Sequence, residues 1–97
     1  MSAGGLVQSI NRSLDVVEAL CRSERAMGVA ELARQLNLAK TTVYRILKTL
    51  ESRHYVRQDR STGNYAAGHK ILELASLVQS RLHLQPVSYT HLTLPTN

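Results

Sequence analysis

Apolar residues recur at helical spacing in four separate runs, interrupted once by two short segments of extended character. Ile10, Leu14, Val17, Leu20 and Cys21 fall three or four residues apart and predict an amphipathic first helix, with Ser9 as its N-cap. The polar stretch Arg22 to Arg25 ends it, and Ala26-Met27-Gly28 reads as a connector with room for a minimal strand. Val29, Leu32, Ala33 and Leu36 then mark a short second helix, capped by Gly28, with Glu31 where the helix dipole favours an acid. Asn37 tolerates the left-handed conformation that a sharp helix-to-helix turn demands, and Leu38 is expected to turn inward. The third helix is expected from about Ala39 to Ser52, with Val43, Ile46, Leu47 and Leu50 as its buried stripe. Lys40, Thr41, Thr42, Tyr44, Arg45, Lys48 and Thr49 are left on its wetter side.

Tyr55-Val56-Arg57-Gln58-Asp59 and Asn64-Tyr65-Ala66-Ala67 are strand-like, and Arg60-Ser61-Thr62-Gly63 between them supplies turn chemistry, with Gly63 free to take positive φ. The expected fold is therefore mainly α with a small β-hairpin: a winged helix-turn-helix over residues 6–67, after a flexible leader at 1–5. A linker helix follows over residues 68–85. Ile71, Leu74, Ala75, Val78 and Leu82 share one face of it while Leu77 and Leu84 lie off that face, which is more apolar surface than a free helix tolerates. The alternatives are packing on its own domain or, favoured here, contact also with a partner chain or the rest of a longer protein.

Charge sharpens this picture. The 97 residues suffice for one domain, and the net charge of +5 is unevenly spread. Between residues 40 and 60, Lys40, Arg45, Lys48, Arg53, Arg57 and Arg60 face only Glu51 and Asp59. Positive charge concentrated on a helix and hairpin suits a polyanion, because neutralising phosphates releases condensed counterions; a plain solvated basic surface is the alternative. Cys21 is the sole cysteine, so no internal disulfide forms, and its place on the apolar side of the first helix predicts a buried, inert thiol. No Cys/His spacing suits a metal, and no cofactor is expected. Neither an apolar run of membrane-spanning length nor a signal peptide in MSAGGLVQS is present, so no membrane association and a cytoplasmic location are expected. No Ser/His/Asp arrangement, glycine-rich phosphate loop or paired carboxylate stands out, which argues against an enzyme.

A helix-turn-helix whose second helix leads with cations and hydroxyls is the arrangement that enters the DNA major groove. Lys40, Thr41 and Thr42 are expected near phosphates and the first base edges, with the helix N-terminal amides assisting. Tyr44 and Arg45 are the candidate readers, Arg45 through paired hydrogen bonds to guanine and Tyr44 against a thymine methyl or a phosphate. Lys48, one turn further along the third helix, is assigned to the DNA backbone, Arg57 and Arg60 on the wing to backbone or minor groove, and Arg12 at the start of the first helix to a phosphate. Against these stand structural roles: Arg45 paired with a carboxylate of a neighbouring helix, Tyr44 packed under the wing, Thr41 and Thr42 as helix-start residues. His54 at the helix-to-strand corner is read as structural, and His69 and His83 lack partners at metal-ligand spacing. A winged helix used only for protein contact is the competing function, disfavoured by Lys40, Arg45 and Lys48.

With these elements in place, residues from about Leu6 to Leu84 resemble the N-terminal DNA-binding domain of the IclR family of bacterial transcriptional regulators. The matching runs are VQSINRSLDVVEAL, LARQLNLAKTTVYRILKTLESRHYV, RQDRSTGNYAAG and GHKILELASL, in that order. Two departures are Ala39, where the family often starts the recognition helix with proline, and the wing exit, where Ala67 and His69 replace a larger apolar residue and a proline. The resemblance implies a homodimer on a palindromic operator in double-stranded DNA, and a separate C-terminal domain that binds a small-molecule effector, often an aromatic or organic acid. Residues 86–97 break the pattern: PVSYTHLTLPT resembles the translation of a transposon-type sequencing adapter, so this tail, including Tyr89 and His91, is given no function, and the gene is expected to continue past Gln85.

Overall fold

A computed structural model describes residues 5–82; the leader up to residue 4, the end of the expected linker helix and the adapter-like tail lie outside the described residues. Four helices and one hairpin follow in the order α1 (Gln8–Arg22), α2 (Val29–Leu36), α3 (Lys40–Ser52), β1 (Val56–Gln58), β2 (Tyr65–Ala67) and α4 (His69–Leu82). The fold is the expected helical bundle with a two-stranded wing. Val16, Ala19 and Leu20 from α1, Leu32 and Ala33 from α2, and Val43 and Leu47 from α3 form the core with Met27, Val56 and Tyr65. Each fully buried Leu or Val among them contributes about 1.5–3 kcal/mol of transfer free energy.

The helix-to-helix turn is built as its sequence suggests. Asn37 adopts φ 59°, ψ 49°, and the Leu38 and Asn37 amides donate to the carbonyls of Ala33 and Arg34. This is the paired bonding of a left-handed helix C-terminus, and it turns the half-buried Leu38 towards the core. Gly28 precedes α2, and Arg25 makes a two-pronged contact with Glu31 at 2.8 and 3.3 Å. Ala39 sits at the α3 N-cap position in extended conformation, so the helix starts one residue later than the pattern implied.

The wing pairs Val56 with Ala67, Arg57 with Ala66 and Gln58 with Tyr65 in antiparallel register. Asp59 and Asn64 fall outside the strands because the turn starts early, and Tyr55 does because its amide bonds back to the Leu50 carbonyl at the end of α3. The Asp59 carbonyl accepts from Gly63 at 2.7 Å, and its carboxylate accepts from the Ser61 amide and hydroxyl. Gly63 takes φ 81° as expected. The connector strand is reduced to one residue, Met27, which exchanges both backbone hydrogen bonds with Tyr65.

α1 departs from its sequence reading. Its core face is Val16, Ala19 and Leu20, whereas Ile10 and Leu14 are 57% and 51% exposed and Cys21 is an exposed free thiol. The helix carries two apolar sectors, and spacing alone does not say which meets the core. The sector with Val16 and Ala19 wins, since short side chains let α1 approach α2, α3 and β2 closely. Nor does Ser9 cap it: the helix starts at Gln8 with Val7 before it, and no side chain caps its first turn. α4 contains no buried residue; Leu72, Leu77, Val78 and Leu82 are all exposed. No helix among the described residues is long and apolar enough to cross a membrane.

Candidate nucleic-acid interface

α3 is held by Val43 and Leu47, both fully buried, with Ile46 and Leu50 packed at the margin. Fixing that stripe inward turns the opposite edge outward as a consequence of the 3.6-residue period. Lys40, Thr41, Tyr44 and Arg45 are exposed on that edge and Thr42 is half-buried beside them. No side chain caps the α3 N-terminus, so its first amides point outward at the same end as these groups.

A groove of about 420 Å³ runs between α1 and α3, lined by Ser9, Ile10, Arg12, Ser13, Thr42, Arg45, Ile46 and Thr49. It unites Arg12 and Arg45, which lie 33 residues apart in sequence. Two of its hydroxyls are already committed: Ser13 donates to the Ser9 carbonyl and Thr49 to the Arg45 carbonyl. Among the described residues no carboxylate lies within ion-pair distance of Arg12, Lys40, Arg45, Arg57 or Arg60. Arg45 therefore does not pair with a carboxylate of a neighbouring helix, and Tyr44 is 50% exposed.

Arg57 and Arg60 belong to a second concavity of about 320 Å³ at the wing base, shared with Glu51, His54, Gln58 and His69. The candidate residues thus form two groups, one at the leading end of α3 and one on the wing. Lys48 lies between the two groups. Its ammonium donates to Glu51 Oε1 at 3.0 Å and lies 5.8 Å from the centre of the Tyr44 ring. The Glu51 hydrogen bond holds the Lys48 pKa above its ordinary value. Burial pushes the Tyr65 phenol up, against the pull of the nearby Lys48 charge.

Two features escaped the sequence. Glu51 was legible only as an acid in a basic stretch, although a Lys and a Glu three residues apart on a helix are neighbours. His54 and His69 stack with ring centres 5.3 Å apart, and His69 Nε2 lies 3.5 Å from Glu73. Fifteen positions separate the two imidazoles, so no local spacing announces the pair. Among the described residues no group of three or more His, Cys, Asp or Glu is placed to hold a metal.

The IclR helix-turn-helix domain model matches residues 9–60, which spans α1, α2, α3 and the first wing strand. The chain belongs to the IclR family. The transcriptional repressor IclR of Escherichia coli is 36% identical over 80 residues, covering 81% of this chain and 29% of the relative. The glycerol operon regulatory protein of Streptomyces coelicolor is 36% identical over 70 residues, or 72% of this chain and 28% of the relative. Among solved structures, an IclR family transcriptional regulator from Brucella abortus superposes with TM-score 0.71 at 34% identity, covering 78% of this chain and 29% of its own. The chain thus spans less than a third of the length of these relatives. What they share with it is the DNA-binding helix-turn-helix, which favours that role over a protein-contact module; the relatives are regulators rather than enzymes.

Proposed function

We propose that this IclR-type domain reads a specific duplex sequence for a transcriptional regulator, with α3 in the major groove and the wing on an adjacent backbone or minor groove. The observation that carries this reading is the leading end of α3. Lys40, Thr41 and Tyr44 are exposed there, Thr42 and Arg45 share a groove with Arg12, and no carboxylate pairs with Arg12, Lys40 or Arg45 among the described residues. A free guanidinium can donate two parallel hydrogen bonds to guanine, whereas one already paired would first have to give up its partner. Lys40 and Arg12 supply phosphate contacts at the head of α3, and Arg57 and Arg60 supply them at the wing.

The proposal extends to assembly and control. A homodimer would place two copies of α3 on the halves of a palindromic operator, with half-site spacing set by the dimer. As the relatives' names tie them to operon regulation, this protein would act on chromosomal DNA in the cytoplasm. A small-molecule effector would bind outside the described domain and shift operator affinity.

Selection of duplexes from a random pool, followed by affinity measurement across a salt series, tests the reading. Wild type should enrich a defined site and lose affinity steeply with salt. Arg45→Ala should keep most nonspecific binding but lose about 1–3 kcal/mol of discrimination at one base pair. A flat salt response, or no enrichment by the wild type, would sink the proposal.

A further inference from the structure

The three cations of α3 are not equivalent. Lys40 and Arg45 have no carboxylate partner among the described residues, whereas Lys48 is bound to Glu51 at 3.0 Å and lies 5.8 Å from the Tyr44 ring centre. Tyr44, Lys48 and Glu51 are spaced four and three residues apart, which puts them in one row along the helix edge. The ammonium is therefore hydrogen-bonded to a carboxylate, lies within cation–π distance of the Tyr44 ring and also interacts with the Tyr65 phenol.

We infer that Lys48 is a positioning residue that fixes Tyr44 for base reading, not a phosphate contact. This rests on the DNA-reading role proposed above. The first reason is charge. A phosphate approaching Lys48 would also meet the Glu51 carboxylate, and a neutral pair releases few counterions. The Glu51 side chain is 27% exposed against 44% for Lys48, so the carboxylate is the more enclosed partner and the less free to swing away. The second reason is the ring. Tyr44 is half-exposed and makes no side-chain hydrogen bond among the described residues, so the cation at its face is the polar contact that restricts it. A reader restrained before binding loses less side-chain freedom on the DNA.

The test uses the chain as it stands, with wild type, Lys48→Ala, Glu51→Gln and Tyr44→Ala compared on the selected duplex and its single-base-pair variants across salt. Both Lys48→Ala and Glu51→Gln should reduce discrimination about two- to five-fold at the base pair that Tyr44→Ala affects. The salt slope of Lys48→Ala should match that of the wild type. In the free protein, both variants should move the Tyr44 ring resonances in NMR spectra, a readout that needs no DNA. The inference is overturned if Lys48→Ala weakens all duplexes equally and lowers the salt slope by about 0.9, the mark of one lost phosphate contact. Unmoved Tyr44 resonances in both free variants would remove the positioning contact whatever happens on DNA. If Tyr44→Ala left all discrimination intact, the reader role of Tyr44 would fail and the inference with it, while loss of wild-type binding would mark failure of the DNA reading itself.

Discussion

His54 holds the corner between α3 and the wing in a conformation uncommon for its residue type. Its φ is 69°, and the amides of Tyr55 and His54 donate back to the carbonyls of Leu50 and Glu51. The same bonding ends α2 at Asn37, where Asn is at home; histidine tolerates this region less commonly than glycine. Gly68 packs against the His54 carbonyl oxygen, and a Cβ there would lie 3.0 Å from the Tyr55 carbonyl carbon and the Val56 nitrogen. Those are backbone atoms that cannot rotate aside. Substitutions at the two positions should therefore act in opposite directions. His54→Gly relieves a left-handed side-chain residue and should raise stability by up to about 1 kcal/mol, a few degrees in Tm. Gly68→Ala should lower it by about 1–3 kcal/mol. Thermal and urea melts of the two variants measure both; a destabilised His54→Gly would show that the His69 stack and the folding entropy of glycine together outweigh the backbone strain.

At the scale of elements, the wing is pinned by one carboxylate. Asp59 accepts from the Ser61 hydroxyl at 2.7 Å and the Ser61 amide at 2.9 Å, and these bonds hold its pKa below the ordinary carboxylate value. A carboxyl whose pKa is lower folded than unfolded adds stability that is complete above its unfolded pKa, about 3.9. That contribution fades as pH falls from there through the lower folded value. Asp59→Asn retains an acceptor oxygen but cannot titrate, so its stability should fall less between about pH 4 and pH 2 than that of the wild type. Superimposable acid limbs in melts of the two proteins would refute this. Because the turn carries Arg60 and adjoins Arg57, its integrity also decides whether those cations stand beside the DNA path. α3 shows the complementary case: its buried stripe was plain from spacing, and the outward edge followed from it. The division of that edge into free cations and one paired lysine was not plain, because a Glu three residues from a Lys can face it or face solvent.

For the whole molecule, the question is what covers the surface left apolar. The second sector of α1, with Ile10 and Leu14 and with Val7 just before the helix, continues into a groove of about 500 Å³ lined by Leu14, Val17, Leu50, Tyr55, Ile71 and Leu74. The proposed homodimer gives this surface a use, since exposed contiguous apolar patches mark contact sites. Leu14→Asp places a charge in the patch while leaving the buried face of α1 intact. It should move the chain towards monomer in sedimentation at concentrations where wild type associates, with Tm of the monomer little changed. Association unaffected by Leu14→Asp would place the dimer contact elsewhere.

The sequence alone determined the order and kind of the elements, the Asn37 turn, the Gly63 wing turn and the cation-rich edge of α3. These rest on local period and on residues whose backbone preferences are strong, so neighbours in sequence suffice to specify them. Tertiary structure decided which apolar sector of α1 faces inward, and so exposed Cys21 and left Ser9 inside the first turn instead of capping it. It also decided that Arg12 and Arg45 line one groove, that His54 meets His69, and that Lys48 turns to Glu51. A helix with two apolar sectors is ambiguous until its neighbours choose one, and side chains distant in the chain become partners only when packing fixes the distance between their elements.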